Sequence, residues 1–297
     1  MQENKVINYL QQKFPIIGDD AAAFSTKQVI SKDLLVEDVH FRRRYFDPES
    51  LAHKALNVNF SDIAAMSGKP THVLLGLAIP LNYEDDYIEK FLQSFSNKCL
   101  DNNVVLIGGD TTASTDKLFI SVTIIGIADK AIYRSSANIG DIICYAGNLG
   151  YAHLGLQALE KNILGLEKFK TAFLRPNALI KEALDLVNKA TAMMDISDGL
   201  YVDLKKLCIA SNVSAQINTS GLAVEKSFID SCNLLELDPL SVKLMGGEDY
   251  ALLFTVKPNE YTDDLKKIGI FIEGEGEIKF DEEFDLKQKS FSHFGEL

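Results

Sequence analysis

Residues 47–80 read DPESLAHKALNVNFSDIAAMSGKPTHVLLGLAIP. Asp47 followed by Pro48 is a helix start: a side-chain oxygen for the free N–H groups, then a ring whose missing N–H costs nothing in the first turn. The helix is predicted to run to about Met66 and to stop before Ser67-Gly68-Lys69-Pro70. His72 to Ile79 then reads as a buried strand ending at Pro80. On the helix, Ala55, Asn59, Asp62 and Met66 share one face by their i, i+4, i+7, i+11 spacing, with Ala52 and Ile63 at its edges. Such a face should be buried, and a carboxylate on it is costly unless it is paired or bound to metal. Two readings stay open for Asp62. It is a metal ligand, or it is a structural carboxylate acting as a buried cap or bridged to Lys54 or Lys69.

Outward from this pair the chain keeps mixing helices and strands. Residues 3–14 read as a short amphipathic helix and 27–36 as a strand. A helix is expected over 83–100. A short strand at 104–107 runs straight into Gly108-Gly109-Asp110, and a β-branched strand covers 118–127. The polar stretch 134–141 marks a domain boundary, giving units 1–137 and 138–297. In the second unit, strands are expected at 142–146, 251–256 and near 272–280, a strand end feeding a loop at 192–199, and helices at 151–161, 177–189 and 202–210. The alternation lacks a clean βαβ rhythm, which favours α+β over a doubly wound parallel sheet.

Composition narrows the function. Of 297 residues, 46% are hydrophobic and 24% charged, the values of an ordinary globular chain with a sizeable core. The net charge of −12 argues against a duplex nucleic-acid partner. An acidic protein still binds polyphosphate when divalent cations bridge the two sets of negative charge. The opening MQENKVINYLQQKF has no basic stretch followed by an apolar run, so no signal peptide is expected. No apolar window is long enough for a membrane span. Four widely spaced cysteines (Cys99, Cys144, Cys208 and Cys232) read as reduced, mostly buried thiols of a cytoplasmic protein.

The chemistry is carried by carboxylates. There is no P-loop and no G-x-S-x-G elbow. Gly274-Glu275-Gly276, flanked by Glu273 and Glu277, would repel phosphate and reads as a turn. Six short acidic motifs remain: Gly18-Asp19-Asp20, Ser31-Lys32-Asp33, Asn59-Phe60-Ser61-Asp62, Gly108-Gly109-Asp110, Asp195-Ile196-Ser197-Asp198-Gly199 and Gly246-Gly247-Glu248-Asp249. Magnesium takes hard oxygen ligands, and a kinase without a P-loop can hold a triphosphate through such ions. Any one of these motifs alone is a turn former. Strand alternation sets Asp195 and Ser197 on one side, with Asp198 at the turn, where it serves a metal cup or caps the next helix. Arg134, beside Ser135 and Ser136, is a phosphate clamp or a surface arginine. His40 alone reads more readily as structural or exposed than as functional.

In order and context the motifs resemble the thiamine-monophosphate kinase family of the aminoimidazole ribonucleotide synthetase-like superfamily. The resemblance rests on IGDDAA at 17–22, SKD at 31–33 with His40 seven residues after Asp33, and HKALNVNFSDIAAM at 53–66. It rests equally on IGGDTT at 107–112, RS at 134–135, MDISDGL at 194–200 and GGEDY at 246–250. It implies direct in-line transfer of the ATP γ-phosphoryl to thiamine monophosphate, giving thiamine diphosphate and ADP, with several Mg2+ ions. Position by position it implies magnesium at Asp20, Ser31, Asp33, Asp62, Asp110, Asp195 and Asp198, with Lys32 contributing mainly through its backbone. Asp62 and Asp198 are the implied catalytic pair. ATP contacts fall on Gly109, Asp110, Arg134 and Ser197, and substrate contacts on His40, Glu248 and Phe291. The implied fold is a ferredoxin-like N-terminal half that dimerises through its sheet, plus a C-terminal α/β half. Three positions depart from the family's habit: Lys32 stands for Thr, Asp38 for Gly, and Phe291 for Tyr or Trp. A sibling ATP enzyme such as aminoimidazole ribonucleotide synthetase, or a non-catalytic nucleotide-binding protein, is the competing reading.

Overall fold

The structure, a computed structural model, describes residues 3–222 and 225–281. After helix α1 (Glu3–Gln11), a two-residue strand β1 (Ala22–Ala23) and strand β2 (Gln28–Val36) lead to α2 (Pro48–Ala65). Asp47 caps α2 as its sequence demands: its Oδ1 accepts the Ser50 N–H at 2.7 Å, worth about 1 kcal/mol. Strand β3 (Lys69–Pro80), helix α3 (Asp85–Asp101), β4 (Val105–Ser114) and β5 (Phe119–Ile127) complete the first layer. The sheet order is β1-β2-β5-β3-β4, with β3 and β4 parallel and the other pairs antiparallel.

That order corrects the ferredoxin-like expectation. A ferredoxin-like half runs strand–helix–strand–strand–helix–strand. Here the second crossover helix, α3, returns to lay β4 parallel beside β3, and the strand that follows pairs with β2 and β3 instead of with β4. Strand β4 also continues through Gly108-Gly109-Asp110, where the sequence placed the end of a strand. A register shift against β3 at Val73/Leu74 absorbs one residue and keeps the pairing going.

The second layer is a six-stranded sheet. Its strands are β6 (Ile142–Ala146), β7 (Ala190–Ile196), β8 (Ser214–Ile217), β9 (Ala251–Val256), β10 (Lys266–Ile272) and β11 (Ile278–Phe280), in the order β11-β8-β10-β6-β9-β7. Around it lie α4 (Tyr151–Glu160), α5 (Glu167–Leu174), α6 (Ile180–Asp185), α7 (Leu200–Ser211), α8 (Lys226–Leu235) and α9 (Pro239–Met245). Two expected elements differ. The helix expected over 177–189 is only α6, because the Ala178 N–H is taken by the Asn57 side chain of α2 and Lys189 turns back to Leu186. The strand expected over 272–280 is broken by the turn expected at Gly274–Gly276, so β10 ends where β11 has yet to begin.

Helix α2 is buried almost all round, against the two sheets. Leu51, Ala55, Leu56 and Ile63 pack with Val29, Val73, Val122 and Ile124 of the first sheet. Ala64 and Ala65 instead join Cys144, Met193, Leu252 and Phe254 of the second. Small residues at this end of the helix let the two layers approach. All four cysteines are buried and unbridged. Among the described residues, no helix is long and apolar enough to cross a membrane.

Candidate active site

The cleft forms where α2, β2 and β7 converge. Pleating turns Val29, Ser31, Asp33 and Leu35 to the side of the first sheet that α2 covers, and Lys32 to the other. The Ser31 hydroxyl donates to Asp62 on α2. One residue earlier, Ser61 donates to Asp195 at the end of β7, at 2.7 Å. Asp195 is only 3% exposed.

Four carboxylates share this space. Burial raises Asp62 well above the usual carboxylate range, and the charges of Asp33 and Asp195 push the same way. Burial likewise raises Asp195, with Asp20 and Asp33 adding to it. Burial lifts Asp20 to about 7 against the pull of Arg134. Like charges that raise one another's pKa mark a place where a positive ion is favoured. Neither Lys54 nor Lys69 supplies it: among the described residues Asp62 makes no ion pair, and Lys54 is bound to Glu248 at 2.8 Å.

Arg134 occupies the rim. Its Nε lies 3.2 Å from Asp19 Oδ1, and a terminal nitrogen pairs with Asp20 Oδ1. The other oxygen, Asp20 Oδ2, is buried with no hydrogen-bond partner among the described residues. A hard cation is the partner such an oxygen fits. Among the described residues, no three His, Cys, Asp or Glu side chains converge tightly enough to enclose an ion. Ser31 and Ser61 hold Asp62 and Asp195, and Arg134 holds one oxygen of Asp20.

The two motifs from the second half interlock. The Glu248 N–H donates to Ser197 O at 2.6 Å, and the Tyr250 N–H to Ile196 O at 3.0 Å. A Cβ at Gly247 would stand 2.6 Å from Ser197 O, so only glycine lets the loops meet. Asp198 does not cap α7, whose cap residue is Gly199, at φ 109°. It pairs with Lys206 at 2.6 Å. Asp203, fully buried, accepts the backbone N–H groups of Ser197 and Asp198 at 3.0 and 2.9 Å and so shapes the turn. Asp249 caps α4 from outside, accepting the N–H groups of Gly150 at 2.5 Å and Ala152 at 2.9 Å.

Gly109 and Asp110 are not brought into this cluster. The register aligns Asp33, Val122, Leu75 and Gly109 in one row across the sheet. Gly109 is therefore three strand spacings, roughly 14 Å, from Asp33. Asp110 is exposed and accepts the N–H of its neighbour Thr111. His40 is half-buried at the end of β2, where its Nδ1 accepts the Val36 N–H at 3.0 Å. Phe291 lies outside the described residues. The sequence reading gave no role to Asp19 or Ser61, though both lie in its acidic motifs, and it missed Asp203, Lys206 and the pairing of Lys54 with Glu248. Asp203 had a legible signal, since Leu200, Asp203, Leu204 and Leu207 repeat on one buried helix face.

Residues 18–128 match the N-terminal domain model of AIR synthase related proteins, and 138–271 match the C-terminal domain model. The thiamine-monophosphate kinase of Aquifex aeolicus is 34% identical over 288 residues, covering 94% of this chain and 93% of that one. The chain belongs to the thiamine-monophosphate kinase family. The family's Bacillus subtilis member is 35% identical over 260 residues, covering 82% of this chain and 78% of its own. The solved complex of AaThiL with AMPPCP and TMP superposes with a TM-score of 0.90 at 31% identity, over 99% of this chain and 97% of that one. Two of the chain's departures from family habit have physical accounts. Asp38, in place of glycine, holds φ at 68°, a left-handed conformation that Asp tolerates better than most residues. Lys32, in place of threonine, donates to Ser121 on β5, so its ammonium sits across the sheet from the carboxylates.

Proposed function

We propose that this protein transfers the γ-phosphoryl group of ATP to thiamine monophosphate, giving thiamine diphosphate and ADP. The observation that carries the reading is the crowding of Asp20, Asp33, Asp62 and Asp195 in one cleft. Family membership and the AaThiL complex with AMPPCP, an ATP analogue, and TMP support the same substrates.

Magnesium fits the donor set, and Asp20, Asp33, Asp62, Asp110, Asp195 and Asp198 would hold it, with Ser31 and the backbone at Lys32. Bound there, Mg2+ would neutralise the charge that phosphate oxygens bring to these carboxylates. Arg134 exchanges Asp19 and Asp20 for phosphate oxygens, to which its planar fork is matched. Ser197 contacts the nucleotide from the turn shaped by Asp203. Gly109 and Asp110 reach it from β4, at a distance that an extended nucleotide spans. His40 and Glu248 hold the acceptor, with Phe291 stacking on its ring. Asp62 and Asp198 carry the catalytic electrostatics, and attack is direct and in line, because phosphoryl transfer needs positioning more than covalent help.

The assembly is a homodimer formed through the first sheet. Strand β4 is an edge, and its Val105, Leu106 and Ile107 are 55%, 42% and 51% exposed. An exposed apolar edge strand is a pairing surface. The two units, 1–137 and 138–297, meet after Ala137. Buried, unbridged thiols suit the reducing cytoplasm.

The test is purified protein with ATP, Mg2+ and thiamine monophosphate, assayed for thiamine diphosphate. No product, together with turnover of another phosphate acceptor, overturns the proposal.

A further inference from the structure

Lys54 is 1% exposed on α2, a little over two turns before Asp62. Its ammonium is 2.8 Å from Glu248 Oε2. It also lies 4.0 Å from the ring centre of Phe173 and 5.4 Å from that of Phe46. A lysine so enclosed is costly unless its charge is matched, and Glu248 matches it. Glu248 is different: 27% of its side chain remains open. Among the described residues only Oε2 has a hydrogen-bond partner, which leaves Oε1 as a lone acceptor.

The backbone at Glu248 is also held in place. Its φ is 65° and that of Tyr250 is 49°, left-handed values that a non-glycine residue keeps only when its surroundings impose them. Two hydrogen bonds to the 196–197 segment supply part of that constraint. Lys54 is the side-chain anchor from the other half of the molecule. It comes from the same helix that carries Asp62, so one rigid element sets both the acidic cluster and Glu248.

We propose that Lys54 is a positioning residue for the phosphate-accepting substrate: it fixes Glu248 in one rotamer, so that Oε1 receives an N–H donor of the acceptor. This rests on the reading of Glu248 as an acceptor contact. The substrate group selected is an amino or protonated ring nitrogen, because the open Oε1 of a carboxylate paired to a lysine offers an acceptor. The two phenyl rings hold the ammonium by their faces and deny it other oxygen partners, which directs it to Glu248.

Steady-state kinetics on the full chain test this, with thiamine monophosphate and ATP varied separately. Lys54→Met keeps length and removes charge. It should raise KM for the acceptor about tenfold to a hundredfold, the scale of a hydrogen bond to a charged group, and leave KM for ATP within about twofold. Glu248→Gln should do the same, and the double variant should be no worse than either single one. Lys54→Arg, which restores a cation, should recover most of the loss. Lys54→Gln, which keeps an N–H toward Glu248, serves if Lys54→Met fails to fold, and it should show the same selective rise. An unchanged acceptor KM in folded Lys54→Met or Lys54→Gln overturns the inference, as does a double variant whose loss is the product of the two singles. Failure of Glu248→Gln to alter the acceptor KM overturns the underlying reading of Glu248. An effect in Glu248→Gln but not at Lys54 overturns the inference alone.

Discussion

The Ser61 hydroxyl donates to Asp195 at 2.7 Å, joining α2 to the end of β7 across 134 residues of sequence. The bond satisfies a carboxylate that is almost wholly enclosed. Ser61→Ala removes the donor and should lower stability by about 1–3 kcal/mol. Denaturant melts of the two proteins measure this directly, and equal midpoints would show that the bond contributes nothing net.

Asp62→Asn keeps shape while removing charge. Phosphoryl transfer should fall by about 10²–10³-fold, as when one preorganised electrostatic group is lost. The ligand-free protein should be at least as stable as the parent, because Asp33 and Asp195 no longer face a third charge. A large loss of Tm would make Asp62 a structural carboxylate instead.

Arg134→Lys tests the rim. Lysine retains the charge but not the fork that spans Asp19 and Asp20. KM for ATP should rise about tenfold or more, with a steeper dependence on salt. Equal ATP affinity in the two proteins would assign Arg134 to the ligand-free ion pair alone.

His53 gives a pH signature. Its Nε2 is 2.7 Å from Pro176 O, and burial, then the Lys98 charge, lowers its pKa from 6.5 to about 4. The unfolded chain takes up this proton near pH 6.5, whereas the folded chain does so only near 4. The contribution is therefore complete above pH 6.5 and is lost as the pH falls toward 4. His53→Gln, which keeps an N–H for Pro176, should flatten that part of the Tm–pH curve; an unaltered slope assigns it to other groups.

Ile107→Glu places a charge on the exposed β4 edge. Sedimentation should show a dimer for the parent and a monomer for the variant. A parent that sediments as a monomer at every concentration removes the sheet-mediated dimer.

Much of the site was legible because its signals are local. The Asp47-Pro48 start fixed α2, and the helix period put a carboxylate on a buried face. The same start at Asp238-Pro239 opens α9, with Asp238 accepting the Ser241 N–H at 2.8 Å, but the sequence reading passed over it. What it could not supply was long-range. Whether Lys54 bridges Asp62 or Glu248 depends on which loop meets α2. The strand order depends on where the α3 crossover lands, and no periodicity encodes that. Arg134 illustrates the gap: its proposed phosphate role is suggested by its place beside Ser135 and Ser136, its grip on Asp19 and Asp20 only by three dimensions.

Helix α2 belongs to both hydrophobic cores, through Leu51 and Ile63 on one side and Ala64 and Ala65 on the other. Neither half can then melt while the other stays intact, since withdrawing the helix opens both at once. The two layers behave as one cooperative unit, so calorimetry should give a single endotherm and α2 amides should exchange only through global opening. A fragment ending near residue 137 would carry the far face of α2 into water, which makes it prone to self-association rather than a miniature of the whole.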